Sequence, residues 1–328
     1  MKDQHMKKLF LGLALASLSV HGSTISITED FSADPLPNGW QVFGDTNLFR
    51  WDATNQNLAV TWDSSQSNSY FHQPLGMTAT KSDDFNLGFD LRLDDIGPGS
   101  DTNKPYSFNL SIGLQNYAVA TQPEFLRGTG YSSPDLAEFA YFWDSGYGAT
   151  AWPVLVDSFG SFNFSSTNDY ALFALTRGDW YRVVMSYTAA SQAVVTTITN
   201  LALNTGIRIT APLDDYFTDF AVDAISISSY NDTGGYEGSV LAHGAVDNLA
   251  VTVTRPPVKN MTGAFSNGVW QVQFISQTNW TYTLERSTNF LSWDGASAST
   301  SGNGTNLVLS DINAPPDQGF YRVRAHQP

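Results

Sequence analysis

The chain has 328 residues, no cysteine, 26 glycines and a formal charge of −15, with 42% hydrophobic and 14% charged residues. The apolar fraction is ample for a packed core and excludes wholesale disorder, while zero cysteine excludes disulfides, thiolate metal sites and a cysteine nucleophile. The excess of 31 acids over 16 bases argues against nucleic acid as a partner, because a polyanion binder needs a basic face.

Residues 1–22 carry Lys7 and Lys8, then an apolar run of 12 residues from Leu9 to Val20, then Gly22 before Ser23. That run is short of the ~20 apolar residues a bilayer span needs. The segment reads as a secretory signal peptide, so the expectation is a secreted, cell-surface or periplasmic protein with no membrane span in its mature form. Without it, 13 basic residues face 30 acidic ones, a charge of −17.

The mature chain repeats with period two. Phe85, Leu87, Phe89, Leu91 and Leu93 alternate with polar or small residues and end at the turn Asp94-Asp95-Ile96-Gly97-Pro98-Gly99, which predicts a half-buried strand. Phe108, Leu110, Ile112 and Leu114 alternate likewise, as do Tyr181, Val183, Met185 and Tyr187. A turn at 188–192 leads to Val194, Thr196 and Ile198; Ile225 and Ile227 mark another strand, and Val246, Leu249, Val251 and Val253 close the series. A short helix is expected over Leu213–Phe220. Of the 31 acids only five are Glu and 26 are Asp, a turn and cap residue, which suits a loop-rich chain. The predicted class is all-β: a large antiparallel jelly-roll sandwich over 23–254, a linker at 255–259 and a small β-sandwich over 260–328. Pro256 and Pro257 mark the linker. Charge agrees, since residues 23–258 hold nine bases against 26 acids and residues 259–328 hold four against four.

Three stretches resemble the concanavalin A-like, laminin-G-type jelly-roll domains of secreted bacterial proteins. They are Glu29-Asp-Phe-Ser with Gly39-Trp40, Trp180-Tyr-Arg-Val-Val-Met-Ser-Tyr187 with its hairpin partner, and Ala245-Val-Asp-Asn-Leu-Ala-Val251. Tyr282-Thr-Leu-Glu-Arg-Ser287, Trp293 and Phe320-Tyr-Arg-Val-Arg324 resemble a short immunoglobulin-like C-terminal module of such proteins. The resemblance implies architecture more than chemistry.

Retaining glycosidases need two carboxylates ~5 Å apart. Glu occurs only at 29, 124, 138, 237 and 285, and Glu138, on a predicted strand, has no carboxylate at 136, 140 or 142. The competing reading of Glu138 is a strand-surface residue or a local ion pair. No HExxH motif and no Gly-x-Ser-x-Gly elbow occur. Lyase chemistry needs cationic neutralisers, and Lys81 and Lys104 are the only lysines between residue 23 and the linker.

Calcium is the one cofactor the resemblance implies, at a structural site where first and last strands meet. Glu29 or Asp30 with Asp247, beside Asn248, would supply oxygens toward the about six to eight that Ca²⁺ takes. Aromatic residues are 13% of the chain, and an exposed ring can stack on a sugar. Trp143, Asp144, Tyr147 and Trp152 are the candidate ligand-binding residues, with Tyr230 and Tyr236 a second candidate loop; the competing reading for each ring is core filling. The expected function is non-catalytic carbohydrate recognition or adhesion, with an extracellular polysaccharide or glycan as partner. The alternatives are a glycoside hydrolase or polysaccharide lyase with carboxylates from separate strands, and a structural envelope or matrix protein.

Overall fold

The computed structural model describes residues 23–99, 110–127, 133–143, 148–162, 171–231, 239–278, 280–315 and 318–326. The described chain divides into two compact units that part between Thr254 and Arg255.

The larger unit is a two-sheet antiparallel sandwich. Its strands are β1 (Ser23–Glu29), β2 (Gln41–Phe43), β3 (Phe49–Asp52), β4 (Asn57–Asp63), β5 (Ser69–Thr80), β6 (Asp84–Pro98), β7 (Leu110–Gln115), β8 (Leu136–Phe142), β9 (Thr150–Val156), β10 (Ala171–Leu172), β11 (Trp180–Thr188), β12 (Ala193–Asn200), β13 (Thr205–Pro212), β14 (Ala221–Ser229) and β15 (Val240–Arg255). The first sheet runs β13-β12-β11-β6-β15-β4-β3, with β1 also on β15; the second runs β10-β9-β8-β7-β14-β5-β2. The chain passes repeatedly from one sheet to the other, the connectivity of a jelly roll.

Alternation places the core. Leu87, Phe89 and Leu91 on β6, Val183 and Met185 on β11, and Ile225 and Ile227 on β14 point between the sheets and are fully buried. Burying each such side chain contributes roughly 1.5–3 kcal/mol. β7 and β8 are buried along their whole length, on both faces. Half-exposed strands were expected there. The reason is a segment that folds back over the outer face of the second sheet, from the one-turn helix α1 (Tyr117–Ala120) to Arg127.

No helix forms over 213–220. The Leu213, Phe217 and Phe220 spacing imitates one, but Asp214 accepts from the Phe217 amide in a turn, and Phe217 and Phe220 bury themselves in the core.

The smaller unit holds β16 (Val258–Ser266), β17 (Val269–Ser276), β18 (Thr281–Ser287), β19 (Asp294–Gly295), β20 (Thr300–Ser301), β21 (Asn306–Asp311) and β22 (Phe320–His326). One sheet is β16-β17-β21 and the other β19-β18-β20 with β22 on β18. Trp270, Val272, Phe274, Tyr282 and Leu284 fill the core of this small sandwich. Asn267 and Gly268, both at positive φ, make the two-residue turn between β16 and β17.

Candidate functional site

The outer face of the second sheet carries a row of chemistry. Strand register aligns His72 on β5, Ser226 on β14, Gly113 on β7, Glu138 on β8 and Val154 on β9. With strands ~4.8 Å apart, the row from His72 to Glu138 is about 14 Å long. Flanking rows add Tyr70, Ser228, Ser111 and Trp152 on one side and Gln115 and Leu136 on the other. Gly113 is needed in its place: a Cβ there would collide with the Glu138 backbone.

Glu138 is the charged centre. Arg127 Nε donates to its Oε1 at 2.6 Å, and the Tyr230 hydroxyl donates to its Oε2 at 3.0 Å. Arg127 and Tyr230 are fully buried and Glu138 nearly so. Burial and the Glu138 charge push the Tyr230 and Tyr70 hydroxyls well above the usual phenol range, so both stay protonated donors. The ion-pair reading of Glu138 is therefore the one that holds, in the interior rather than on a surface. The row holds no second carboxylate to partner it in hydrolysis.

Of the other polar groups of this face, the Ser226 and Ser228 hydroxyls bond each other at 2.9 Å, and three residues keep unmet groups. Among the described residues neither ring nitrogen of His72, nor Ser111 Oγ, nor Gln115 Nε2 has a hydrogen-bond partner, and all three residues are buried. Each unmet buried group costs about 1–3 kcal/mol. Burial also lowers the His72 pKa from its ordinary 6.5, which favours the neutral imidazole.

The covering segment is tied at several points. Asn116 Oδ1 caps α1 by accepting from the Val119 amide, and Asn116 Nδ2 donates to the Ala221 carbonyl. Asp223 accepts from the Tyr117 amide, Tyr70 donates to the Ala120 carbonyl, and Asn68 donates to the Phe125 carbonyl. Beside it a cleft of about 360 Å³ opens between Phe43, Asn68, Gln122, Phe125 and Asn231.

The candidate aromatic residues are divided. Trp143 packs against the core between the sheets, whereas Trp152 lies on the outer face against Phe142, ring centroids 5.6 Å apart. The two tryptophans therefore pack on opposite faces of the second sheet. Asp144 and Tyr147, like Tyr236, lie outside the described residues. Tyr230 is not a loop ring for stacking; it is fully buried beside Glu138.

At the other candidate site, β1 does pair with β15. Glu29, Asp30, Asn38, Gln73 and Asn248 line a cleft of about 620 Å³. Yet the carboxylates turn to local duties. Buried Glu29 accepts from the Phe31 amide, Asp30 from the Ser32 amide and hydroxyl, and Asp247 from the Asn248 amide. Burial, then the charges of Asp90 and Asp30, raise the Asp247 pKa above its ordinary 3.8. Among the described residues no group of three or more His, Cys, Asp or Glu side chains is arranged to hold a metal. The backbone strands meet where the expected calcium site of Glu29 or Asp30 with Asp247 lies, and these carboxylates accept from nearby amides in turns.

Sequence reasoning missed Arg127, His72, Ser111 and Gln115. The one available signal was polar residues alternating with core residues on central strands. No helix among the described residues is long and apolar enough to cross a membrane.

No protein-family model matches the chain, and no curated protein matches it in sequence. Solved structures resemble it in chain path. The seed lectin of Lotus tetragonolobus superposes with a TM-score of 0.47 at 11% identity, over 71% of this chain and 99% of its own. Basic winged bean lectin with Tn-antigen gives 0.43 at 13% identity, over 71% and 100%. Lectin I from Ulex europaeus, in complex with the methyl glycoside of α-L-fucose, gives 0.41 at 15% identity, over 70% and 98%.

Proposed function

We propose that the larger unit is a non-catalytic carbohydrate-recognition domain that binds through the outer face of its second sheet. The observation that carries this reading is the set of unmet groups on His72, Ser111 and Gln115, on the face that also carries the rings of Tyr70 and Trp152. Sugars need that combination: hydroxyls want paired donors and acceptors, and the apolar sugar face wants an aromatic surface. Residues 1–22 support export, so the partner in this reading is an extracellular polysaccharide or glycan, and the smaller neutral unit serves as a spacer or surface-association module.

Calorimetric titration of the chain freed of residues 1–22 against neutral and acidic oligosaccharides tests it. Saturable binding that falls at least tenfold in both His72→Leu and Gln115→Leu is the expected result. Binding indifferent to both substitutions overturns the assignment of this face. A structural envelope or matrix role is favoured by a different observation, the filling of the outer face by Ala120, Phe125 and Tyr230. Absence of binding across the panel would leave that reading standing.

A further inference from the structure

Tyr117, on the covering segment, lies over His72 at the end of the polar row. Its ring rests on the His72 imidazole, centroids 4.3 Å apart and planes 27° from parallel, and meets Phe43 edge-on at 6.4 Å. The anchors of the covering segment belong to its backbone and to later residues, namely Asp223 on the Tyr117 amide, Tyr70 on the Ala120 carbonyl and Glu138 on Arg127. The half-buried Tyr117 side chain is held by ring contacts, so a change of rotamer moves it without moving the segment.

The floor beneath has a defined chemical character. A neutral imidazole offers one donor and one acceptor, Ser111 offers a hydroxyl, and Gln115 Nε2 offers an amide donor. Glu138 and Arg127 neutralise each other at the far end of the row. Hydroxyl groups, which both donate and accept, complement such a set. A carboxylate or phosphate would bring an unbalanced charge into a buried space.

We propose that His72, Ser111 and Gln115 form a subsite for the hydroxyls of a neutral saccharide, and that Tyr117 is a ring lid that must swing off His72 to admit it. This rests on the reading that the face binds carbohydrate, and it adds the charge class of the ligand and the gate. The lid holds the free protein partly closed, so the apparent affinity is reduced by the fraction of molecules that are open.

The test is calorimetric titration of wild type and Tyr117→Ala with cellohexaose, xylohexaose, mannohexaose and laminarihexaose, with trigalacturonate as the acidic probe. The expected result is that wild type binds a neutral hexaose, that Tyr117→Ala binds it at least threefold more tightly, and that adding His72→Leu or Gln115→Leu weakens the variant at least tenfold. If wild type binds and Tyr117→Ala is no tighter, the lid is overturned while carbohydrate recognition stands. If trigalacturonate is preferred, the neutral class is overturned. If neither chain binds any probe, both the gate and the underlying reading fall. A second measurement avoids the His72 and Gln115 variants. Diethyl pyrocarbonate should modify His72, located by peptide mass, faster in Tyr117→Ala than in wild type; equal rates overturn the lid.

Discussion

Arg127 Nε stands 2.6 Å from Glu138 Oε1, with both side chains almost wholly withdrawn from solvent. Two charges removed from water stabilise a fold only while they remain together. Glu138→Gln leaves the guanidinium charge buried, and the expected cost is about 3–5 kcal/mol. For a unit of this size that lowers Tm by roughly 10 °C. The double variant Arg127→Leu/Glu138→Leu should recover more than half of the loss, and urea unfolding of wild type, Arg127→Leu, Glu138→Leu and the double variant measures the coupling.

His72 supplies a pH signature. Its folded pKa lies below the ordinary 6.5 because burial disfavours the imidazolium. The folded state then binds fewer protons than the unfolded state between those two values, so stability falls as pH drops below about 6.5 and levels off below the folded pKa. His72→Phe should flatten the profile of Tm against pH in that window. An unchanged slope would assign it to other groups.

Asp157 acts in the same direction at lower pH. Burial raises its pKa, but the amides of Ser161, Thr218 and Phe159 and the Thr218 hydroxyl all donate to it and bring the net value below 3.8. Its contribution is complete above the unfolded value and is lost as pH falls through the folded one. Asp157→Ala leaves those donors without their acceptor, and the expected cost is at least about 3 kcal/mol at pH 7, read from urea unfolding. The difference between variant and wild type should shrink below pH 3.

Asp247 is a carboxylate whose ionised form the fold disfavours. Its raised pKa comes from burial and then from Asp90 and Asp30, so Asp247→Asn should raise Tm at pH 7. The gain should fade as pH falls below the unfolded value, where both states carry the protonated acid. Differential scanning calorimetry with and without calcium gives the check. A variant that melts lower than wild type only when calcium is present would support the metal site.

Much of the larger fold was legible because a two-residue period states which side chains go inward. Phe85 to Leu93 and Tyr181 to Tyr187 became β6 and β11, paired as neighbours. Ser111, Gly113 and Gln115 misled, since they alternate with Leu110, Ile112 and Leu114 as solvent-facing residues would. Their burial depends on a segment from Tyr117 to Arg127 that has no periodicity. Trp143 and Trp152 looked like one aromatic group because they are close in sequence. Register separates them: Trp152 pairs with Ala140, on the outer parity of β8, while Trp143 follows the inner parity of Tyr141. Glu29 and Asp30 were placed correctly at the meeting of first and last strands. Their carboxylates accept from the Phe31 and Ser32 amides, local bonds that composition does not reveal.

The hydroxyl that completes the Glu138 site comes from Tyr230, 92 residues further along the chain. Arg127 precedes Glu138 by only 11 residues, so the acid and the base can meet as soon as β8 forms. The site then waits for β14 to insert between β5 and β7 before Tyr230 can seal it. Closing such long loops is slow compared with local pairing. Local pairing alone therefore cannot complete the Glu138 site, since its last donor follows β14, a strand from the end of the larger unit.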